Sequence, residues 1–377
     1  MQIEDISKTY SAEIAYVILC CRVFIRTSSE EELEQYVKAH ELNWDEVYRL
    51  AAFHRVRPIV YKVINNNSNI PAAALLRFRN YCHALSVFAF ERQVESRRIQ
   101  QLLQQQGIFV RLYKGLDFAQ MAYAGDISMR EFTDMDMMID ARRMPELVGL
   151  MTAEGYTCTQ GEYIRRFPGD YVTNKKDICF YKRSPMGRLF GFEFHHRPTG
   201  YFMDQSIGFK ELFGPDYLNS SSPISHEQYY RLMVLHHGAS DYYPNLRSLV
   251  DLVMLSQNRV LDVLPGLRRY ERLGQELATR LLGCPAARMP TDRAMIKCAD
   301  LIAKWQLTGT PRCYRERIYM HIRFSASISG RLRLMLRSLQ YFSLPNERDI
   351  NNIQLPYFKV YYLAKLLRLL GFRKAFN

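Results

Sequence analysis

The chain has 377 residues, 48% of them apolar and 24% charged, a composition that supports a buried core and excludes intrinsic disorder. Its eight cysteines form no C-x-x-C and no compact framework, which excludes a disulfide scaffold and fits a reducing cytoplasm. The net charge of +13 is uneven, because residues 301–377 hold 14 Lys or Arg against 3 Asp or Glu, an excess of 11 that suits a polyanionic partner.

The opening Met1-Gln-Ile-Glu-Asp5 lacks a basic, then apolar, leader pattern. Ala12 to Phe24 is apolar but too short to span a bilayer, and Arg22 and Arg26 close it, so no stable membrane insertion is expected. Ser29-Glu-Glu-Glu32 and Asn43-Trp-Asp-Glu46 read as helix starts ahead of apolar-periodic runs. Pro71 opens a long helical pattern to Gln106, which Gly107 suits as a terminator.

After Gly107 the period changes. Ile108 to Tyr113 is β-branched and aromatic, like a strand. Lys114-Gly115 precedes a short helix over 116–123, and a loop with Gly125 leads to a second strand around Asp134. Met144 to Glu154 reads as helix, with Asp140 as a cap ahead of it. Asp177 to Arg183 and Arg188 to His196 flank Ser184-Pro-Met-Gly187 as a hairpin. From Pro223 onward helices return: 226–240, 246–257, and basic amphipathic segments to the end. The layout is an N-terminal helical region (1–107), an α/β core (108–212) and a C-terminal helical region (213–377), basic from about 301.

Within the second strand, Arg130-Glu-Phe-Thr-Asp134-Met-Asp136-Met-Met-Ile139 places two carboxylates one residue apart. Strand side chains at i and i+2 share a face, so Asp134 and Asp136 stand together while Met135, Met137 and Ile139 point the other way. Neighbouring carboxylates repel and lose hydration, so a cation is expected to offset them. A pair of Mg²⁺ ions about 3.5–4 Å apart serves this purpose in enzymes that displace phosphates in line. In the hairpin, Glu193 and His195 share a face, opposite Phe192 and Phe194.

Lys114-Gly115, Arg130, Asp134-Met-Asp136 and Phe192-Glu193-Phe-His195, together with Asn43-Trp-Asp, His54-Arg-Val56-Arg-Pro58, Leu235-His236-His237 and Asp251-Leu252, resemble the uncharacterised nucleotidyltransferases of the DNA polymerase β-like superfamily. The resemblance covers roughly residues 40–257. It implies an α+β fold: a small α/β core with a mixed sheet between helical regions. It also implies transfer of a nucleoside monophosphate from a nucleoside triphosphate to a hydroxyl acceptor, with release of pyrophosphate. Asp134, Asp136 and Glu193 would be the catalytic metal ligands for Mg²⁺ or Mn²⁺. Lys114 and Gly115 would bind phosphate, as would Arg130 unless it instead orients Asp134. The chain departs from the wider superfamily in two places, with Lys-Gly where Gly-Ser is usual and Glu193 where Asp is usual. A catalytically inactive relative that binds nucleotide or RNA is the alternative. The basic tail, with Arg331, Arg333 and Arg337 among leucines and Tyr357, Phe358 and Tyr361 nearby, reads as solvated helix faces, as a nucleic-acid groove, or as a membrane-surface helix.

Overall fold

The structure is a computed structural model that describes residues 1–200, 207–220, 222–257, 259–285, 293–309, 314–324, 328–352 and 355–369. The fold is α+β, as expected: helices surround one four-stranded mixed sheet. The chain forms two compact units, each built from three segments. Met1–Glu91, Phe118–Phe132 and Ile224–Phe324 make the first, and Arg92–Asp117, Thr133–Pro223 and Ser325–Asn377 the second. No helix among the described residues is long and apolar enough to cross a membrane.

The first unit is helical. Its central helix, Ala12–Ile25, starts where the Ser11 hydroxyl accepts from the Ile14 amide at 3.2 Å. Every residue from Ile14 to Cys21 is buried against helices Trp44–Phe53, Arg57–Ile64 and Leu246–Ser256, which explains its apolar run without a bilayer. Arg22 is tolerated at its end because Nε donates to the Leu281 carbonyl at 2.9 Å and Nη2 to the Met1 carbonyl at 2.9 Å. The capping box at Ser29 forms as expected, and Asn43 caps the next helix through the amides of Asp45 and Glu46. Helix His226–Met233 continues into a π-helical turn, Val234–Ser240. There Gly238 leaves room for Tyr243, whose Oη lies 2.8 Å from where a Cβ would stand.

The second unit is built on the sheet. Strands β1 (Val110–Leu112), β2 (Met135–Ile139), β3 (Asp177–Arg183) and β4 (Leu189–His195) lie in the order β1-β2-β4-β3. β2 and β4 are parallel, while β1 with β2 and β3 with β4 are antiparallel. The β3–β4 hairpin closes through the Ser184 Oγ, which accepts from the amides of Met186 and Arg188 at 3.2 Å each, and through Gly187 at φ +78°. Alternation sorts the side chains. Met135, Met137, Ile139, Phe192, Phe194, Ile178 and Phe180 are buried on one face. Each such side chain contributes about 1.5–3 kcal/mol by leaving water. This face fixes the register, because a slip by one residue would carry the aromatic side chains out and the acids in. Two helices between the second and third strands, Gly161–Arg166 and Pro168–Asn174, had no sequence expectation.

Candidate active site

The opposite face of the sheet carries the polar residues. Asp136 on β2 stands directly beside Glu193 on β4, and His195 beside Asp177 on β3. Asp134 lies just before β2. The residues expected to meet by strand parity thus share one face.

The contacts are close. His195 Nε2 lies 2.9 Å from Asp136 Oδ1 and 3.3 Å from Glu193 Oε2. Its Nδ1 lies 3.6 Å from Asp177 Oδ2, beyond a hydrogen bond. Lys114 Nζ donates to Asp136 Oδ1 at 2.7 Å, with both side chains buried. Gly115 follows at φ +58°, a conformation that suits glycine, and helix Leu116–Ala122 begins after it. On the other edge, Lys176 donates to Asp177 at 2.7 Å. Tyr113 packs its ring edge-on against His195, with centroids 5.5 Å apart.

Protonation follows from these neighbours. Burial works to raise the pKa of Asp136, but the Lys114 ammonium and the His195 hydrogen bond overcome it and hold the carboxyl well below the usual carboxylate range. Asp134 goes the other way: burial, then the charges of Asp136 and Glu193, push its carboxyl up. Burial also opposes ionisation of Asp177, yet His195 and Lys176 keep its carboxyl below the ordinary value. A closely spaced acid pair whose members are driven apart in pKa is a common sign of a functional site.

One ligand atom from each of Asp136, Glu193 and His195 lies within 4.8 Å of the others, so this group could hold a metal ion. Two carboxylates and an imidazole are suitable donors for a divalent cation. The four acids Asp134, Asp136, Asp177 and Glu193 outnumber the ammonium groups of Lys114 and Lys176, an acidic excess that a cation could offset.

Arg130 lies in the first unit. Its Nε donates to Asp251 at 3.0 and 3.2 Å, and its guanidinium stacks on Phe118. Asp251 also accepts from the Tyr123 hydroxyl at 2.7 Å and lies 3.0 Å from His237 Nε2. Although burial favours the neutral acid, Arg130 and His237 hold Asp251 ionised. Next to Arg130, Glu131 binds Arg57 at 2.6 Å and Tyr81 at 2.9 Å. The guanidinium expected to contact phosphate is therefore engaged by a buried carboxylate.

Asp177, Lys176 and Tyr113 were not singled out in the sequence. Asp177 could have been found by counting back from the hairpin turn, because pairing Arg183 with Leu189 sets Asp177 opposite His195.

Asp134 just before β2, Asp136 on it and Glu193 on its parallel neighbour thus gather three acids on a small mixed sheet. Residues 40–290 match the family described as uncharacterised nucleotidyltransferase, and the chain belongs to that family. No curated protein and no solved structure matches it.

Proposed function

We propose that the protein transfers a nucleoside monophosphate from a nucleoside triphosphate to a hydroxyl acceptor and releases pyrophosphate. The observation that carries this reading is the convergence of Asp136, Glu193 and His195 on one spot, with Asp134 adjoining. Asp136 and Glu193 would hold a divalent ion, Mg²⁺ or Mn²⁺, through their carboxylate oxygens, with Asp134 and His195 beside them. The bound ion would neutralise phosphate charge and favour the ionised form of the acceptor hydroxyl.

The chain's own groups supply positioning and charge. Lys114 carries an ammonium to the acid face, and Gly115 beside it, at φ +58°, turns the chain into the following helix. Asp136, held ionised by Lys114, keeps a full negative charge for a cation. Asp134, with its raised pKa, is the carboxyl best suited to take a proton from an acceptor hydroxyl. Arg130 enters this proposal as the partner of Asp251 rather than as a phosphate ligand. We place the reaction in the cytoplasm, in keeping with free thiols at all seven described cysteines.

One observation favours a second reading. Lys114 already offsets Asp136 at 2.7 Å, and a fold stabilised in that way could bind nucleotide without turning it over. Pyrophosphate release from nucleoside triphosphates, measured with a panel of hydroxyl acceptors, separates the two. Turnover is expected in the wild type and lost in Asp134→Ala with Asp136→Ala. Equal turnover in both proteins would overturn the proposal, and nucleotide binding without turnover in the wild type would establish the second reading.

A further inference from the structure

Helix Ile328–Ser343 in the second unit is amphipathic in an unusual sense, because its apolar side faces water. Ile328 is 84% exposed, Leu332 58%, Met335 50%, Leu336 58% and Leu339 67%. At about 100° per residue these five fall within an arc of about 100° on one side of the helix. Leu334, on another side, is the buried contact with the fold. Arg331 lies at one margin of the apolar arc and Arg333 beyond the other, both exposed, with Arg337 half-buried further round. The helix has no acidic residue. It packs against helix Val360–Leu369, where Leu363 and Leu366 are also exposed and acids are again absent.

An exposed aliphatic stripe of this length is larger than chance surface exposure and marks an interaction site. Three occupants differ in what they would require. A nucleic acid would use the arginines but needs aromatic faces to stack on its bases, and here one exposed aromatic, Phe342, stands beside five aliphatic side chains that offer bases nothing to stack on. A second copy of the chain could cover the leucines, but it would bring one acid-free, arginine-bearing helix against another and set like charges together. An anionic bilayer satisfies both halves of the pattern: the aliphatic side chains enter the acyl boundary and the flanking arginines meet the lipid phosphates.

We propose that helix Ile328–Ser343 docks the protein reversibly on an anionic phospholipid surface, lying in the plane of the interface without spanning it. The proposal stands independently of the nucleotidyl-transfer reading, since its readout is lipid binding.

The test is flotation of the full-length protein with phosphatidylcholine vesicles, with and without phosphatidylglycerol. Wild type is expected to float with the anionic vesicles, less so at high salt, and hardly at all with phosphatidylcholine alone. Leu332→Gln with Leu336→Gln is expected to lower the bound fraction at least about tenfold, because two leucines lose their apolar transfer. Arg331→Gln with Arg333→Gln should weaken binding to anionic vesicles and remove most of its salt dependence. These positions are exposed, and unchanged circular dichroism would establish that both variants fold. Wild type that stays unbound with anionic vesicles would overturn the proposal. So would self-association through the leucine stripe without lipid binding, or binding to RNA that the leucine variant retains while vesicles bind neither protein.

Discussion

Replacing Lys114 with methionine removes one half of a buried ion pair while nearly keeping side-chain volume. In the wild type, Lys114 Nζ lies 2.7 Å from Asp136 Oδ1, with side-chain exposures of 10% and 7%. Solvent can screen little of that interaction. Loss of one partner from a buried pair costs about 3–5 kcal/mol, because the remaining charge is left uncompensated. The pH dependence has a definite sign. Asp136 has a depressed folded-state pKa, so its contribution is present above the unfolded carboxylate value of about 3.9 and is lost as pH falls through the folded value. Without the ammonium, burial and the nearby Asp134 and Glu193 raise Asp136, and proton uptake then relieves the variant. The difference from wild type should therefore be largest at pH 7 and narrow toward pH 4.5. Urea unfolding followed by circular dichroism at both pH values measures it. A loss below about 1 kcal/mol at pH 7, or a difference that widens on acidification, would show that Lys114 does not hold Asp136 ionised.

Glu193→Gln should weaken Mn²⁺ binding by about tenfold or more while leaving the fold intact; titration followed by electron paramagnetic resonance would reveal an unchanged affinity if Glu193 is not a ligand. Asp251→Asn should destabilise the first unit by about 3–5 kcal/mol, since Arg130 and His237 lose their shared carboxylate. Because the Asp251 pKa is depressed, that deficit should shrink in acid, and thermal melts at two pH values test both statements. Buried His54, which accepts from the Leu246 amide at 3.2 Å, is pulled down to about 3 by burial. Below the unfolded value of about 6.5 the unfolded chain binds a proton that the folded chain does not, so stability falls by about 2 kcal/mol between pH 7 and pH 5. His54→Gln should flatten that part of the profile, and an unaltered slope in urea unfolding would count against a neutral buried His54.

Local periodicity made half of the site legible. Two-residue alternation placed Asp134 with Asp136 and Glu193 with His195, because the aromatic and methionine residues between them must reach the core. The Ser184–Gly187 turn carried the hairpin register, and with it Asp177, although an acid at the first position of a strand looks ordinary by itself. Long-range packing was not legible. Nothing near Lys114 signals that Asp136 will receive its ammonium, and Arg130 meets Asp251 from a position 121 residues away in sequence. Nor does the chain reveal that β2 pairs in parallel with β4 across the intervening helices and β3, a choice made by the apolar face of the sheet. The basic tail was legible as arginines among leucines on amphipathic helices; that leucines rather than arginines dominate the exposed arc of helix Ile328–Ser343 depends on which side Leu334 buries.

In the proposed reaction Asp136 and Glu193 would seat a divalent ion beside a triphosphate held near Lys114-Gly115. A crystal structure of the protein soaked with Mg²⁺ and a non-hydrolysable nucleoside triphosphate decides whether that site forms. The expected result is an ion on the carboxylates of Asp136 and Glu193, with the triphosphate reaching toward Lys114 and the Gly115 backbone. Nucleotide bound away from the acid face, or the Lys114–Asp136 pair unchanged with no ion beside it, would rule out this site.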